Sequence, residues 1–295
     1  MSPAIDALDR PVSAGGPAFS LSGKGFSTGR DAQVVIRRSP AGVGGWVRIG
    51  GAGMRRVSGK WANAPFTGER CTKVHGVGPL EHLAAALVVA GESGWCLDSD
   101  SPDLPLLDGS ARAWAGLLSR WSDRFPADIR AIPLSAAIHL RSERGWIEAT
   151  PSDHFDLDVR WSDGPDGPER WRGGREELPN LLGARTFARA DDWWEARRAG
   201  RMLGVDPGSG RLLASRRPIP REAREELESR GVRCDGPVWT GGGERMPGEC
   251  AAHKALDLIG DMAIALGYLP EIRITARDAG HSLHAALGRA MRERF

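Results

Sequence analysis

His253, Asp257 and Asp261 recur at every fourth position within an otherwise apolar run, ECAAHKALDLIGDMAIALG, residues 249–267. Helical geometry stacks such residues one above another along a single face. Leu256, Ile259, Ala263 and Leu266 form the apolar stripe expected to face the core of the same helix. An imidazole and a carboxylate one turn apart can bind one cation. The plain alternative is a solvated face carrying a His–Asp pair. A hydrolytic metal site needs a third protein ligand and a position for water.

Seven histidines are available to supply it: His75, His82, His139, His154, His253, His281 and His284. His139 and His154 lie in strand-like segments without acidic neighbours at helical spacing, and are read as structural or exposed. His82 follows Glu81 directly, in the first turn of a strongly apolar helix. A Glu beside a metal-binding His can act as general base on metal-bound water; lining a core is the alternative for His82 taken alone. His281 heads the last helix, where a cap or an exposed side chain is the ordinary expectation. His284, one turn on, is expected to face solvent. The combination of Glu-His, His-Lys-x-x-Asp-x-x-x-Asp and Gly-His carries far more weight than any one of them.

The elements that must position these groups are legible in outline. AFSLSGK and DAQVVIRR read as strands around a Gly-rich turn, with a further turn at SPAG (39–42) and a short strand in GGWVRIGG. GPLEHLAAALVVAG is a helix that Gly91 can end. A strand at GWCLDS, an acidic loop and a helix from about Ser110 follow. RFPADIRAIPLS (124–135) reads as a link. AAIHLRS, GWIEATP and FDLDVRW read as strands, 163–178 as a Gly/Pro/charge-rich loop, and 186–201 as leading into a helix. Residues 204–248 show weak periodicity, and EIRITARD is a strand before the last helix. The halves have similar element order, which favours an α+β fold of two similar domains, each a β-sheet layered with helices. The expected division is a flexible arm over 1–16, a first domain over 17–127 and a second over 128–295.

Composition removes several function classes. The formal net charge of +2 argues against nucleic acid or an anionic membrane as partner. Only four of the 40 basic residues are lysine (Lys24, Lys60, Lys73 and Lys254), so Lys254 stands out beside His253. Cys71, Cys96, Cys234 and Cys250 form no CxxC pair, which excludes a zinc ribbon and suits a reducing cytosol. The N-terminus lacks a basic stretch followed by an apolar core, and no run approaches the ~18 apolar residues of a membrane span. A cytoplasmic, monomeric protein is expected.

The same residues make the chain resemble the UDP-3-O-acyl-N-acetylglucosamine deacetylase family, the zinc amidases of lipid A synthesis. SGKGFSTG and RRSPAG look like its opening hairpin, EHLAAAL its Glu-His helix, and SPDLPLLDGSARAW its acidic loop. ARTF (184–187), HKALDLIGD and GHSLHAALGRAM look like its later motifs. The resemblance implies an active site at the domain interface and an acylated nucleotide-sugar as substrate. It implies that His82, His253 and Asp257 hold Zn²⁺, with Fe²⁺ equally suited to such ligands. It implies Glu81 as base, Thr186 at the oxyanion, and His281 as the charged partner or acid, paired with Asp261. Lys254, Phe187 and Phe26 are implied to contact substrate.

Three departures accompany it. Ser27 stands where the family usually has a His, Gly-Pro-Leu precedes Glu81 in place of Thr-Val, and VDPGSGRLLAS replaces a Gly-Gly-Ser-aliphatic-Asp-Asn-Ala stretch that helps build the acyl passage. They leave open a zinc deacetylase acting on another N-acyl sugar or amide. A catalytically silent binding homologue is the rival from another class. A zinc peptidase is disfavoured by the lack of HExxH, and a nucleic-acid binder by the lack of any zinc-finger spacing.

Overall fold

The computed structural model describes residues 18–38, 45–50, 55–56, 71–92, 95–120, 134–206, 208–240 and 243–294. The expected arm over 1–16, the turn at 39–42 and the join at 127/128 lie outside them.

Residues that alternate in burial build the first sheet. β1 (Ala18–Lys24) pairs antiparallel with β2 (Asp31–Arg38), in which Ala32, Val34 and Ile36 point into the core while their neighbours face out. β3 (Gly45–Ile49) and β4 (Arg55–Arg56) follow. The helix α1 (Glu81–Val89), the strand β5 (Trp95–Ser99) and the helix α2 (Arg112–Leu118) complete this half. The strand order is β1-β2-β5-β3-β4, with β5 antiparallel to β2 and parallel to β3.

The second sheet repeats that plan. It contains β6 (Ile138–Arg141), β7 (Trp146–Pro151), β8 (Asp156–Gly164), β9 (Gly167–Gly174) and, much later, β12 (Ile272–Arg277). Their order is β6-β7-β12-β8-β9, with β12 antiparallel to β7 and parallel to β8. Between β9 and β12 lie a one-turn 3₁₀ segment, α3 (Leu178–Leu181), β10 (Phe187–Arg189), α4 (Ala190–Arg198), β11 (Arg211–Leu213), α5 (Arg221–Ser229) and α6 (Glu249–Leu266). α7 (His281–Arg292) follows β12. Without the insertion ahead of α6, the two halves share one element order. The α+β reading therefore holds, and so does the similarity of the halves.

Three local expectations are corrected. Residues 163–178 are not simply a loop, because they contain β9, paired in register with β8 from Asp156↔Gly174 to Trp161↔Glu169. Its alternation hides in polar residues: Arg170 and Arg172 reach across to Asp158 and Asp156. The weakly periodic 204–248 stretch contains β11 and α5, the latter burying only Ala223 and Leu227. α6 has no solvated face. Sixteen of its eighteen residues are buried, the polar stripe among them, because α1, α7, β8 and β9 pack around it. Burying Leu256, Leu258 and Ile259 contributes about 1.5–3 kcal/mol each. Gly267, at φ 82°, ends the helix in the left-handed region, where a side chain is strained.

Candidate metal centre and active site

Two helices that touch backbone to backbone create the site. A Cβ placed on Gly260 of α6 would lie 2.0 Å from the carbonyl oxygen of Glu81 and 2.9 Å from its Cα. Only glycine permits this approach, and it sets the first turn of α1 against the middle of α6. His82, His253 and Asp257 converge there, all three buried.

Asp257 Oδ1 lies 3.6 Å from His82 Nε2 and 3.3 Å from His253 Nε2. These gaps are too long for good hydrogen bonds. They suit a tetrahedral ion, whose bonds of about 2.0–2.1 Å set donors roughly 3.3 Å apart. His253 Nδ1 lies 3.4 Å from the Ala184 carbonyl, which assigns the proton to Nδ1 and turns the Nε2 lone pair inward. Burial pushes His253 down to about 3, so it is neutral near pH 7, as a ligand must be. Burial alone would raise Asp257. His253 and Lys254 outweigh it and hold the carboxyl well below the usual range. Lys254 Nζ donates to Asp257 Oδ2 at 2.8 Å, leaving Oδ1 to the histidines. The chemistry and spacing of this donor set fit a divalent ion.

A second polar cluster adjoins the first. Asp261 Oδ2 accepts from His281 Nδ1 at 2.7 Å and from His284 Nδ1 at 2.8 Å, and Thr72 Oγ1 donates to Oδ1. Burial would lower His281, but Asp261, Asp257 and Glu81 around it raise it to about 9. Burial keeps His284 below its ordinary value despite Asp261. His284 is thus neither solvent-facing nor idle, and His281 is buried rather than an exposed cap. Glu81 Oε2 accepts the Thr72 backbone N–H at 2.9 Å, and Oε1 stands 4.0 Å from His281 Nε2. Burial raises the Glu81 carboxyl, with His281 and His82 opposing.

Glu81, His82, His253, Asp257 and His281 line one cavity of about 580 Å³, together with Thr186, Phe187, Lys254 and Phe26. Asp261 sits behind His281. Lys254 Nζ lies 5.4 Å from the centre of the Phe187 ring and 5.5 Å from that of Trp161, a cation–π clamp. Phe187 also meets the His253 ring edge-on at 5.9 Å. The segment carrying Thr186 and Phe187 is fixed from below. Arg185 donates Nε and Nη2 to the two oxygens of Glu249 at 2.7 Å each, inside the protein, which ties this segment to the first turn of α6.

The structure thus brings all ten sequence-level candidates to one place. His139 and His154 stay apart and exposed, as expected. Thr72, Trp161, the Arg185–Glu249 pair and Asp103 were not singled out. Asp103 is buried in the acidic loop and accepts the backbone N–H groups of Ser27 and Thr28, so it anchors the turn that bears Phe26. The signal for it was a lone Asp among several; Thr72 gave none, lying outside every reactive motif.

Residues 16–210 and 225–293 match the family model described as LpxC: UDP-3-O-acyl N-acetylglycosamine deacetylase. A UDP-3-O-acyl-N-acetylglucosamine deacetylase of Synechocystis sp. is 28% identical over 224 residues, 73% of each chain. Its counterpart in Syntrophotalea carbinolica is 27% identical over 278 residues, 90% of this chain and 82% of that one. A bifunctional enzyme LpxC/FabZ of Bacteroides thetaiotaomicron is 28% identical over 301 residues, covering 94% of this chain and 63% of the relative.

Proposed function

The chain belongs to the UDP-3-O-acyl N-acetylglycosamine deacetylase family, and from that premise we propose that it removes the N-acetyl group from a UDP-3-O-acyl-N-acetylglucosamine in lipid A biosynthesis. The observation that carries this reading is the trio His82, His253 and Asp257, spaced for one ion, with Glu81 and His281 facing each other across the same cavity. Zn²⁺ and Fe²⁺ both suit these donors. Such an ion, when bound, acidifies water and polarises a carbonyl.

The rest falls to side chains of this chain. Glu81, its carboxyl raised by burial, takes the proton of the attacking water. Thr186, which lines the same cavity, donates its hydroxyl to the amide oxygen as negative charge develops there. His281, held protonated at neutral pH and oriented by Asp261, steadies that charge and gives its proton to the departing amine. Lys254, Phe187 and Phe26 bind the sugar, nucleotide or acyl group.

Further proposals complete the reading: domains over 17–127 and 128–295 with the site between them, a monomer, and a cytoplasmic location. No helix among the described residues is long and apolar enough to cross a membrane. A second reading, another N-acyl sugar as substrate, is favoured by Ser27 and by the break in the family match over 211–224. The test is to load the protein with Zn²⁺ and assay N-acyl glucosamines, with and without UDP and the 3-O-acyl group, for free amine. Tight stoichiometric Zn²⁺ with no amine from any substrate would leave a silent binding homologue.

A further inference from the structure

Asp261 is bound more fully than its pairing with His281 requires. It is buried, and a buried carboxylate needs donors for its oxygens. Oδ2 accepts two imidazole N–H groups, from His281 at 2.7 Å and from His284 at 2.8 Å. Oδ1 accepts the Thr72 hydroxyl. Two of the donors therefore come from α7, and the third from the segment ahead of α1.

Only one of the two histidines reaches the cavity. His281 lines it, with Nε2 4.0 Å from Glu81 Oε1 and 3.8 Å from Asp257 Oδ2. His284 is buried and does not line it. His284 follows His281 by three residues on α7, so both rings lie on one face of the helix. Their centres are 5.8 Å apart and their planes stand at 74°. Burial holds His284 below its ordinary value, so it is neutral near pH 7, and donation to a carboxylate assigns its proton to Nδ1. It thus gives Oδ2 a second donor without adding charge. The seam that carries it is tight. A Cβ on Gly288, one turn beyond His284, would stand 2.5 Å from the Cβ of Ala265, one turn beyond Asp261. The spacing of α6 and α7 is therefore fixed next to the shared carboxylate.

One hydrogen bond fixes the tautomer of a histidine but not its tilt. A carboxylate turns broadly about its last torsion, and a ring bonded only to it turns with it. We propose that His284 is a positioning residue for the deacetylation: by taking the second lone pair of Asp261 Oδ2 it stops that carboxylate from turning, and so keeps His281 Nε2 aimed into the cavity. The proposal rests on the reading of His281 as the group that protonates the departing amine. Losing an orienting partner of this kind costs on the order of 10–100-fold in rate. The loss falls on kcat and spares KM, because His284 lies outside both the cavity and the His82, His253 and Asp257 trio.

The test compares His284→Asn, His284→Gln and His284→Leu with the wild type, as Zn²⁺-loaded full chains. An Asn amide N–H can stand where imidazole Nδ1 stands, a Gln amide reaches the place of Nε2, and Leu offers no donor. His284→Leu and His284→Gln should show the loss in kcat for free amine, with KM and bound Zn²⁺ unchanged, and His284→Asn should recover most of it. A second readout is the Nδ1–H proton of His281, followed by NMR in nitrogen-labelled protein and assigned through its absence in His281→Gln. It should exchange slowly in the wild type and His284→Asn, and faster in the other two. Wild-type kcat in His284→Gln and His284→Leu, a loss shared by KM or bound Zn²⁺, or an Asn variant no better than Gln overturns the proposal. If His284→Leu does not fold, the comparison of Asn with Gln decides. If the wild type releases no amine from any acylated UDP-sugar, the deacetylase reading fails and the His281 proton alone decides. Slow exchange kept only by Asn then sustains the positioning role, and the same exchange in every variant overturns it.

Discussion

Gly260→Ala tests the claim that the active site depends on how closely α1 and α6 approach. The new methyl would stand 2.0 Å from the Glu81 carbonyl oxygen, 2.7 Å from its carbonyl carbon and 2.9 Å from Cα, and all three are backbone atoms that cannot swing aside. Ordinary contact begins near 3.4 Å, so the helices must part by more than an ångström. Overpacking of this kind costs about 1–3 kcal/mol. In a chain of this size that lowers Tm by roughly 2–4 °C per kcal/mol. The effect on rate should be larger, because Glu81 travels with its backbone. A misplacement of about 1 Å at a reacting group costs on the order of 10²-fold. The control is Gly116→Ala in α2, where a Cβ meets nothing within 4 Å; it should leave rate unchanged and raise stability by about 0.5–1 kcal/mol. The assay follows free amine from the acylated UDP-sugar alongside thermal unfolding. A Gly260→Ala protein with wild-type kcat/KM and Tm would refute the reasoning.

His82→Ala and His253→Ala should each lose most of about one equivalent of bound ion by elemental analysis, whereas Glu81→Gln should keep it and lose about 10²-fold or more in kcat. The pH profile of kcat/KM should be bell-shaped, with an acidic limb from Glu81 and a basic limb where His281 loses its proton, near its raised value of about 9. Asp261→Asn removes the charge that raises His281, so that limb should move to lower pH. The sign for stability is the same: a raised histidine contributes fully below its unfolded value of about 6.5 and the contribution is lost as pH climbs through 9, which urea titration at pH 6 and pH 10 measures. Arg185→Ala leaves Glu249 charged and buried, and should cost about 3–5 kcal/mol by denaturant unfolding; Arg185→Lys should recover only part, since an ammonium cannot make the two-pronged contact.

The half of the site carried on α6 was legible because its spacing is local: His253, Asp257 and Asp261 announce a shared face whatever surrounds them. Glu81-His82 was legible as a chemical pair, though nothing in one helix says that another will bring it to 3.6 Å from Asp257. What stayed hidden depends on contacts distant in sequence. Thr72 joins Asp261 and Glu81 from a segment with no reactive motif. His284 looked like a solvent residue because its partner lies on α6, not α7. β9 escaped because its cross-strand partners are charges, and α5 because two buried residues make too thin a stripe. The repeated strand order was suggested by element order alone, since the two sheets share no exact sequence repeat.

That repetition bears on how the ion would act in the whole molecule. Twin halves could in principle carry twin sites, but α1 is apolar beyond its first turn while α6 keeps its polar stripe to the middle. Symmetry of the backbone is thus broken in the side chains, and one bound ion per chain is the stoichiometry to expect from the His82, His253 and Asp257 trio. Neither half owns it: one donor comes from the first and two from the second. An ion so shared acts as a tie. At a free concentration 1,000-fold above its Kd it adds about 4 kcal/mol to the cohesion of whatever binds it, and here that is the seam between α1 and α6. Chelation would then register first as faster hydrogen exchange at the buried amides of α1, well before the sheets on either side let go.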